Sequence, residues 1–213
     1  HAIITGADFP ALASSSEQAG EMAMNPRHLS DNVIAKDKVL YTGHAIAAVA
    51  AMTPEAAAAA LRAIVVRYEV LPPVLDVRRA MAPDAPILHA DLRTRGTTEK
   101  ATGQTNIAAF TLFERGDLAE GFRDAEVIVE REFDTAMVHQ GYIEPHNALA
   151  QVNPDGQATL WCSTQGAFEM RSMTARVLNM PLSQLRVVPA EIGGGFGGKT
   201  TIYLEPLAVL LAR

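Results

Sequence analysis

A run of glycines constrains this sequence more than any other feature. The stretch IGGGFGGKT covers residues 192–200 and places five glycines around Phe196, with Lys199 directly after them. Glycine adopts backbone conformations that other residues avoid, and it lets a ligand or another chain segment approach the backbone closely. A mobile turn is also rich in glycine, but it rarely carries a central phenylalanine between a predicted strand and a predicted helix. The stretch therefore indicates a loop whose backbone lies close to another group.

Three templates fit the loop. Residues 193–200 read GxxxxGKT, the pattern in which backbone N–H groups hold phosphates. Gly193, Gly195 and Gly198 read GxGxxG, the dinucleotide pattern, which also requires an acidic residue about 20 positions further on. Only 13 residues follow the stretch, whereas a P-loop opens its domain, so both nucleotide patterns are weak. The third template is a glycine loop at another cofactor, and a P-loop-type nucleotide-binding protein is kept as the alternative.

Composition excludes several classes of protein. The 213 residues are 48% apolar and 20% charged, an ordinary globular balance. The net charge of −6 and the scattered basic residues argue against nucleic-acid binding. The sequence contains neither an apolar run long enough to span a membrane nor a secretory leader. The single cysteine, Cys162, forms no internal disulfide and suits a reducing compartment, so we expect a cytoplasmic protein.

The first half of the sequence predicts a small α/β unit. A short β-like run ends at Pro10, and residues 14–32 are loop-like because they are rich in Ser, Gly, Asn and Pro. Residues 45–52 read as a buried strand and residues 53–64 as a helix capped by its first residue, a threonine. Residues 65–76 then read as a returning strand.

The second half begins after a segment rich in Pro, Gly, Thr and charge, which we interpret as a linker. The following patterns predict, in order, strands at 106–116 and 125–136, a hairpin at 147–163 with its turn at 153–156, a helix at 166–180, a strand at 185–192 and a helix at 203–213. The predicted sheet is thus antiparallel in part. A loop that leads into a helix start would also favour anionic groups.

Three segments of the second half resemble one family when taken together. They are MVHQGYIEPHNALA (137–150), LWCSTQGAF (160–168) and IGGGFGGK (192–199). In this order and spacing they resemble the molybdenum-cofactor subunit of the xanthine dehydrogenase/aldehyde oxidase family, whose relatives include carbon monoxide dehydrogenase and 4-hydroxybenzoyl-CoA reductase. The first half is similar to the α/β-hammerhead domain of the same family.

The resemblance implies an α+β fold. A partial hammerhead domain, without its first strands, would cover residues 1–82, a linker residues 83–105, and the first part of a molybdenum-cofactor-binding domain residues 106–213. The sequence starts without methionine and ends within a predicted apolar helix. We therefore expect a fragment that is inactive by itself.

The family activity is oxidative hydroxylation with water as the oxygen source. The resemblance implies a molybdenum-molybdopterin cofactor, with a dinucleotide form open. Electrons would leave through iron–sulfur clusters to FAD on partner subunits or domains, so a hetero-oligomer is expected. No catalytic residue is expected in this chain, because the family's base glutamate lies further downstream.

The cofactor-binding residues implied by the resemblance are Gln165, Gly194, Gly195, Phe196 and Gly197. The backbone around Gly195 and Phe196 would touch a molybdenum oxygen, and Gln165 would lie beside the oxo ligand. Gln165 and Phe196 would thus be near the metal, and the protein would supply no thiolate ligand to it. An amide donates a hydrogen bond there without adding charge. A loop-capping amide is the plain alternative for Gln165. We also expect a positive φ at Gly195.

Other candidates have plainer interpretations. His139 and His146 lack HExxH spacing, and Pro145 breaks the helix that would bring them together, so no zinc site is predicted. Glu144 matches a family glutamate that is interpreted as structural. Cys162 lies in a predicted strand and is expected to be a buried, inert thiol.

The end of the glycine loop bears on the substrate. We expect Lys199 to be a charge near the backbone or facing a phosphate of the cofactor. Purine-oxidising relatives carry glutamate where Thr200 stands, and carbon monoxide dehydrogenases carry asparagine where Gly198 stands. An aldehyde, an N-heteroaromatic compound or an aromatic acyl thioester therefore stays open as the substrate.

Overall fold

The computed structural model describes residues 2–14, 17–19, 22–96 and 103–213. Its helices and strands are, in chain order, β1 Ala2–Thr5, β2 Glu17–Ala19, β3 Met22–Met24, α1 Pro26–Val33, β4 Ala47–Ala50, α2 Pro54–Ala63, α3 Val77–Ala80, α4 Leu118–Asp124, β5 Ala148–Val152, β6 Ala158–Cys162, α5 Ala167–Val177, β7 Leu185–Pro189 and α6 Glu205–Ala212. The chain forms two compact units. One combines His1–Arg67 with His139–Arg213, and the other is Tyr68–Val138.

The first 67 residues contain two antiparallel strand pairs and two helices. Strand β1 pairs with β4, and β2 pairs with β3. Helix α2 starts as predicted, with the hydroxyl of Thr53 accepting from the N–H of Ala56 and Pro54 in the first turn. Strand β4 is half-buried rather than fully buried.

Helix α1 corrects the loop predicted for residues 14–32. The side chain of Asn25 accepts from the N–H groups of Arg27 and His28, and Pro26 occupies the first helical turn. The Asn-Pro pair that suggested a loop is therefore a helix start, because asparagine caps a helix and proline needs no N–H there.

Three predicted strands are wrong. Residues 65–76, 106–116 and 125–136 contain no regular strand, and the β-pairing described for them is limited to an isolated bridge between Arg95 and Ala109. Most of their large apolar side chains are exposed, as for Phe133 at 87%. Alternating apolar residues favour a strand, but a strand is stable only beside a partner that takes up its backbone hydrogen bonds.

The second sheet has the order β5-β6-β7 and leads to the glycine loop. Strands β5 and β6 form the predicted hairpin, and Gly156 takes a φ of 85° in its turn. Helix α5 connects β6 to β7, which run parallel. The prediction that residues 157–163 are strand rather than helix is confirmed.

The core of this unit lies between the second sheet and its helices. Many of the fully or almost fully buried apolar side chains come from β6, α5, β7 and α6, and Ile34, directly after α1, belongs to the same cluster. Those from the second half include Leu160, Cys162, Met170, Val177, Leu185 and Val209. Burial, with a smaller contribution from Glu205, raises the pKa of Cys162 to about 12. The expectation of a buried thiol is confirmed, and a raised pKa agrees with the inert state expected of it. None of the helices in the described segments is both long and apolar enough to cross a membrane.

Candidate functional site

The glycine loop connects β7 to α6. The loop is followed by a helix, as expected, but α6 begins at Glu205, two residues after the predicted start, and four residues separate it from Thr200 at the end of the loop sequence. That helix start also carries its own carboxylate. Glu205 is buried, and burial raises its pKa, while one of its oxygens accepts from the N–H of Tyr203.

Three loop residues have left-handed backbone. The φ angles are 94° at Gly194, 47° at Phe196 and 86° at Gly197. The expected positive φ at Gly195 is wrong, since Gly195 is not among the residues with positive φ. A phenylalanine in this region is uncommon, and backbone strain of this kind is often found at functional sites.

Side chains from two other segments cover the inner side of the loop. Three of its glycines leave no room for a Cβ. An ideal Cβ would lie 2.6 Å from Glu144 Cβ at Gly193, 2.5 Å from Gln165 Oε1 at Gly195 and 2.6 Å from Tyr142 Cε1 at Gly198. A side chain at any of these positions would therefore force a neighbouring side chain of the protein to move.

The side chain of Gln165 organises the far half of the loop. Its Oε1 accepts from the N–H groups of Gly197 at 2.9 Å and Lys199 at 3.2 Å, and its backbone N–H donates to the Lys199 carbonyl at 3.0 Å. The capping role is thus present. Its Nε2 donates no hydrogen bond within the described part of the chain, so the same amide has a free donor for a ligand.

Lys199 is directed into the protein. Its side chain is fully buried, and its Nζ lies 2.6 Å from Glu144 Oε2. Glu144 also accepts from the N–H of Gly193 at 2.7 Å and from Asn147 at 3.1 Å. Lys199 first, and then the Gly193 N–H, lower the pKa of Glu144 to about 2. The structural role expected of Glu144 agrees with these contacts, whereas a phosphate-facing Lys199 does not.

Tyr142 lies between the loop and two histidines. Its hydroxyl is 2.8 Å from His146 Nε2 and 3.5 Å from His139 Nε2. The ring of His146 also meets Tyr203 edge to face. Burial, and then the charge of Lys199, lower the pKa of His146. The two imidazoles therefore converge on a phenol.

The outer side of the loop offers unused hydrogen-bond donors. Within the described residues, the N–H groups of Gly194, Gly195 and Phe196 find no acceptor, although Gly195 is buried. A buried N–H group without a partner is costly and rare in folded proteins. These donors fit an anionic or oxo-bearing group that comes from outside the chain, and the exposed Phe196 marks the open side.

Sequence reasoning missed Gln140. Its exposed side chain lies against the loop, with Cδ 3.1 Å from the position of a Cβ at Gly198, and makes no hydrogen bond to the described residues. The only available signal was its place in the motif that also contains Tyr142 and Glu144. The structure thus brings a second amide to the loop, at Gly198, in addition to that of Gln165 at Gly195.

We expect this protein not to bind ATP despite its GxxxxGKT pattern. The lysine that would reach the outer phosphates is buried against Glu144, and the hydroxyl of Thr200 donates to the Gly197 carbonyl. Calorimetric titration with ATP and magnesium tests this. Saturable micromolar binding that Thr200→Ala abolishes would contradict it.

Two family models match the chain. The model described as "Molybdopterin cofactor-binding domain" covers residues 99–213. The model described as "Aldehyde oxidase and xanthine dehydrogenase, a/b hammerhead domain" covers residues 1–72. The α+β order predicted from the sequence, a hammerhead domain followed by a cofactor-binding domain, is thereby confirmed.

Individual relatives agree with these matches. The chain is 34% identical over 180 residues to a probable xanthine dehydrogenase subunit from Bacillus subtilis, covering 84% of this chain and 22% of the relative. It is 34% identical over 175 residues to "Nicotinate dehydrogenase large molybdopterin subunit" from Eubacterium barkeri, covering 82% of this chain and 38% of the relative. The chain thus spans well under half the length of either relative.

A solved structure supports the same fold. The quinoline 2-oxidoreductase from Pseudomonas putida 86 superposes on all of this chain with a TM-score of 0.77 at 26% identity, and 26% of its own chain is covered.

Proposed function

Since the chain belongs to the xanthine dehydrogenase/aldehyde oxidase family of molybdenum hydroxylases, we propose that its glycine loop binds the molybdenum cofactor of an oxidoreductase. The observation that supports this most directly is the set of unused N–H donors at Gly194, Gly195 and Phe196. Backbone N–H groups bind anionic oxygens at close range when no side chain intervenes. When bound, the molybdopterin cofactor, with or without a dinucleotide tail, supplies two-electron oxidation of the substrate with water as the oxygen source.

We assign to the residues of this chain the binding and the orientation of the cofactor. The Nε2 of Gln165 is the donor we assign to an oxygen on the metal, and the backbone of residues 194–197 lines the same wall. Gln140, next to Gly198, supplies a second uncharged donor at the loop. No carboxylate of this chain is assigned the proton transfer. Glu144 is bonded to Lys199 and Gly193 and has a pKa of about 2, so it is a poor base at neutral pH.

The substrate is proposed only as a class. Two relatives and the solved structure are named for xanthine, nicotinate and quinoline, all of them N-heteroaromatic compounds. We propose an aldehyde, an N-heteroaromatic compound or an aromatic acyl thioester. Thr200 and Gly198 depart from the patterns of purine- and carbon monoxide-oxidising relatives and so favour neither of those two substrates.

The partners and the domain boundaries are also proposed. We propose iron–sulfur and FAD subunits or domains as electron acceptors within a hetero-oligomer, in the cytoplasm, since the one cysteine is a free buried thiol. We keep a hammerhead domain to residue 82, a linker over 83–105 and a cofactor domain from 106. The two family-model matches leave residues 73–98 between them.

Metal analysis tests the cofactor assignment. The gene product that carries this sequence is produced in a host that makes the molybdenum cofactor, and its molybdenum and pterin contents are measured. We expect both in a fixed ratio to the chain. Their absence, when a molybdenum hydroxylase from the same host is loaded, would contradict the proposal.

Gln165→Ala is expected to lower molybdenum content or turnover by about 10–100-fold, because it removes both the loop cap and the free donor. Gln165→Glu separates the two roles, since its oxygen can still accept from Gly197 and Lys199 but its charged end cannot donate. We expect Gln165→Glu to keep more molybdenum than Gln165→Ala and still to be slow. Gln151→Ala, an exposed glutamine on β5, is the matched control. Parental rates in both Gln165 variants would leave Gln165 without a role at the metal.

A further inference from the structure

The contacts of Glu144 join the two ends of the glycine loop. One carboxylate oxygen accepts from the N–H of Gly193, where the loop begins, and from the Nζ of Lys199, where it ends. These partners are 49 and 55 residues away from Glu144 in the sequence. A single side chain thus holds both ends of the loop against the 139–147 segment.

Because Lys199 is buried, its ammonium group depends on the contact with Glu144. A lysine side chain with no exposed surface is rare, and an ammonium group in such a place needs a counter-charge and further favourable contacts. Glu144 supplies the charge, and the Tyr142 ring lies 4.9 Å from the Nζ. Removing the carboxylate would leave a buried charge without a partner, so the loop end would move.

These contacts also fix the unused N–H groups on the opposite side of the loop. With its ends held by Glu144 and its far half held by Gln165 Oε1, the loop has little freedom left. The three unused N–H groups between these anchors therefore stay in one arrangement before any ligand arrives. Donors fixed in advance bind more tightly than donors that must be ordered on binding.

We propose that Glu144 and Lys199 form a positioning pair that holds the glycine loop in the conformation that retains the molybdenum cofactor. This inference rests on the proposed function, and it assigns the loop lysine a role opposite to that of a P-loop lysine. Lys199 binds Glu144 inside the protein, and the loop's backbone N–H groups are left to bind the cofactor. Neither residue touches the reacting atoms, so both act through the loop.

Two conservative variants test the pair. Glu144→Asp keeps the charge but shortens the side chain, and Glu144→Gln keeps the length and an acceptor oxygen but loses the charge. We expect molybdenum per folded chain to fall roughly tenfold or more in both, since contacts of this kind commonly change metal affinity by about 10–100-fold. The matched control is Lys36→Met. It breaks another lysine–carboxylate pair in the same compact unit, in which Lys36 Nζ lies 3.3 Å from Asp31 Oδ1. It should keep parental molybdenum.

A second readout does not depend on the cofactor. Trypsin cleaves after lysine, and buried Lys199 should be cut only when the loop opens. In metal-free protein, mass spectrometry follows cleavage of the bond between residues 199 and 200 relative to cleavage after exposed Arg115. We expect this ratio to rise roughly tenfold or more in both Glu144 variants and to stay unchanged in Lys36→Met.

The two readouts separate the two proposals. If Lys199 stays protected in both Glu144 variants, the pair does not hold the loop and the inference is wrong. If the loop opens while molybdenum stays at the parental level, the pair does not position the cofactor, and the inference is again wrong. If even the parental protein lacks molybdenum, the proposed function fails, while faster cleavage in the variants would still establish the anchoring of the loop.

Discussion

Gly195→Val is expected to remove nearly all molybdenum from the protein while the fold persists. A Cβ at this position would lie 2.5 Å from Gln165 Oε1 and 2.6 Å from its Cδ, closer than real Cβ atoms approach other atoms. Gln165 must then move and release the N–H groups of Gly197 and Lys199. Molybdenum per folded chain is the measurement, with circular dichroism as the check on folding.

Two further variants make this test specific. Gly121→Val is the control, because a Cβ at Gly121 meets nothing within 4 Å, and it should keep its molybdenum. The double variant Gly195→Ala with Gln165→Ala should lose little more than Gln165→Ala, since the side chain that the new Cβ would strike is gone. Full molybdenum content in Gly195→Val would refute the idea that the contacts of Gln165 with the loop are needed to retain molybdenum.

Leu160→Ala is expected to lower the free energy of unfolding by about 2–5 kcal/mol. Leu160 is fully buried in β6, the central strand of the second sheet, and truncation leaves a cavity among the core side chains. For a chain of this size the melting temperature should fall by roughly 4–20 °C. Thermal unfolding followed by circular dichroism measures the change.

Leu149→Ala is the matched control, on the neighbouring strand. Leu149 is 65% exposed, so its truncation should change the melting temperature only slightly. Among folded molecules, Leu160→Ala should keep its molybdenum, because the side-chain hydrogen bonds that hold the loop come from Glu144 and Gln165. Equal losses of stability in the two variants would contradict the assignment of the core to this sheet.

Elements with strong local signals could be predicted from the sequence. Helix α2 has a threonine cap and a proline in its first turn, and the β5–β6 hairpin has a turn of Asn, Pro, Asp and Gly at 153–156. In both cases the interactions that define the element lie within a few residues of one another. Helix α1 has the same kind of signal in Asn25 and Pro26, but the surrounding serines and glycine led to the opposite interpretation.

The strands predicted at 65–76, 106–116 and 125–136 failed for a different reason. Alternation records which face of a strand is apolar, but not which segment pairs with it. In the described structure these segments have no strand partner, and most of their large apolar side chains are exposed. A prediction that depends on a distant neighbour cannot be made from local pattern.

The sequence by itself determined the family and the order of its domains, and it indicated the glycine loop that we propose as the site, because those depend on residue types at fixed spacings. Only the tertiary structure decided how the loop is held. It placed Glu144 and Gln165 beneath Gly193 and Gly195, and it turned Lys199 inward. The direction of a lysine side chain follows from the charge it meets, and here that charge lies 55 residues away in the sequence. The motif fixes where glycines stand, and the fold decides which side of them faces the protein.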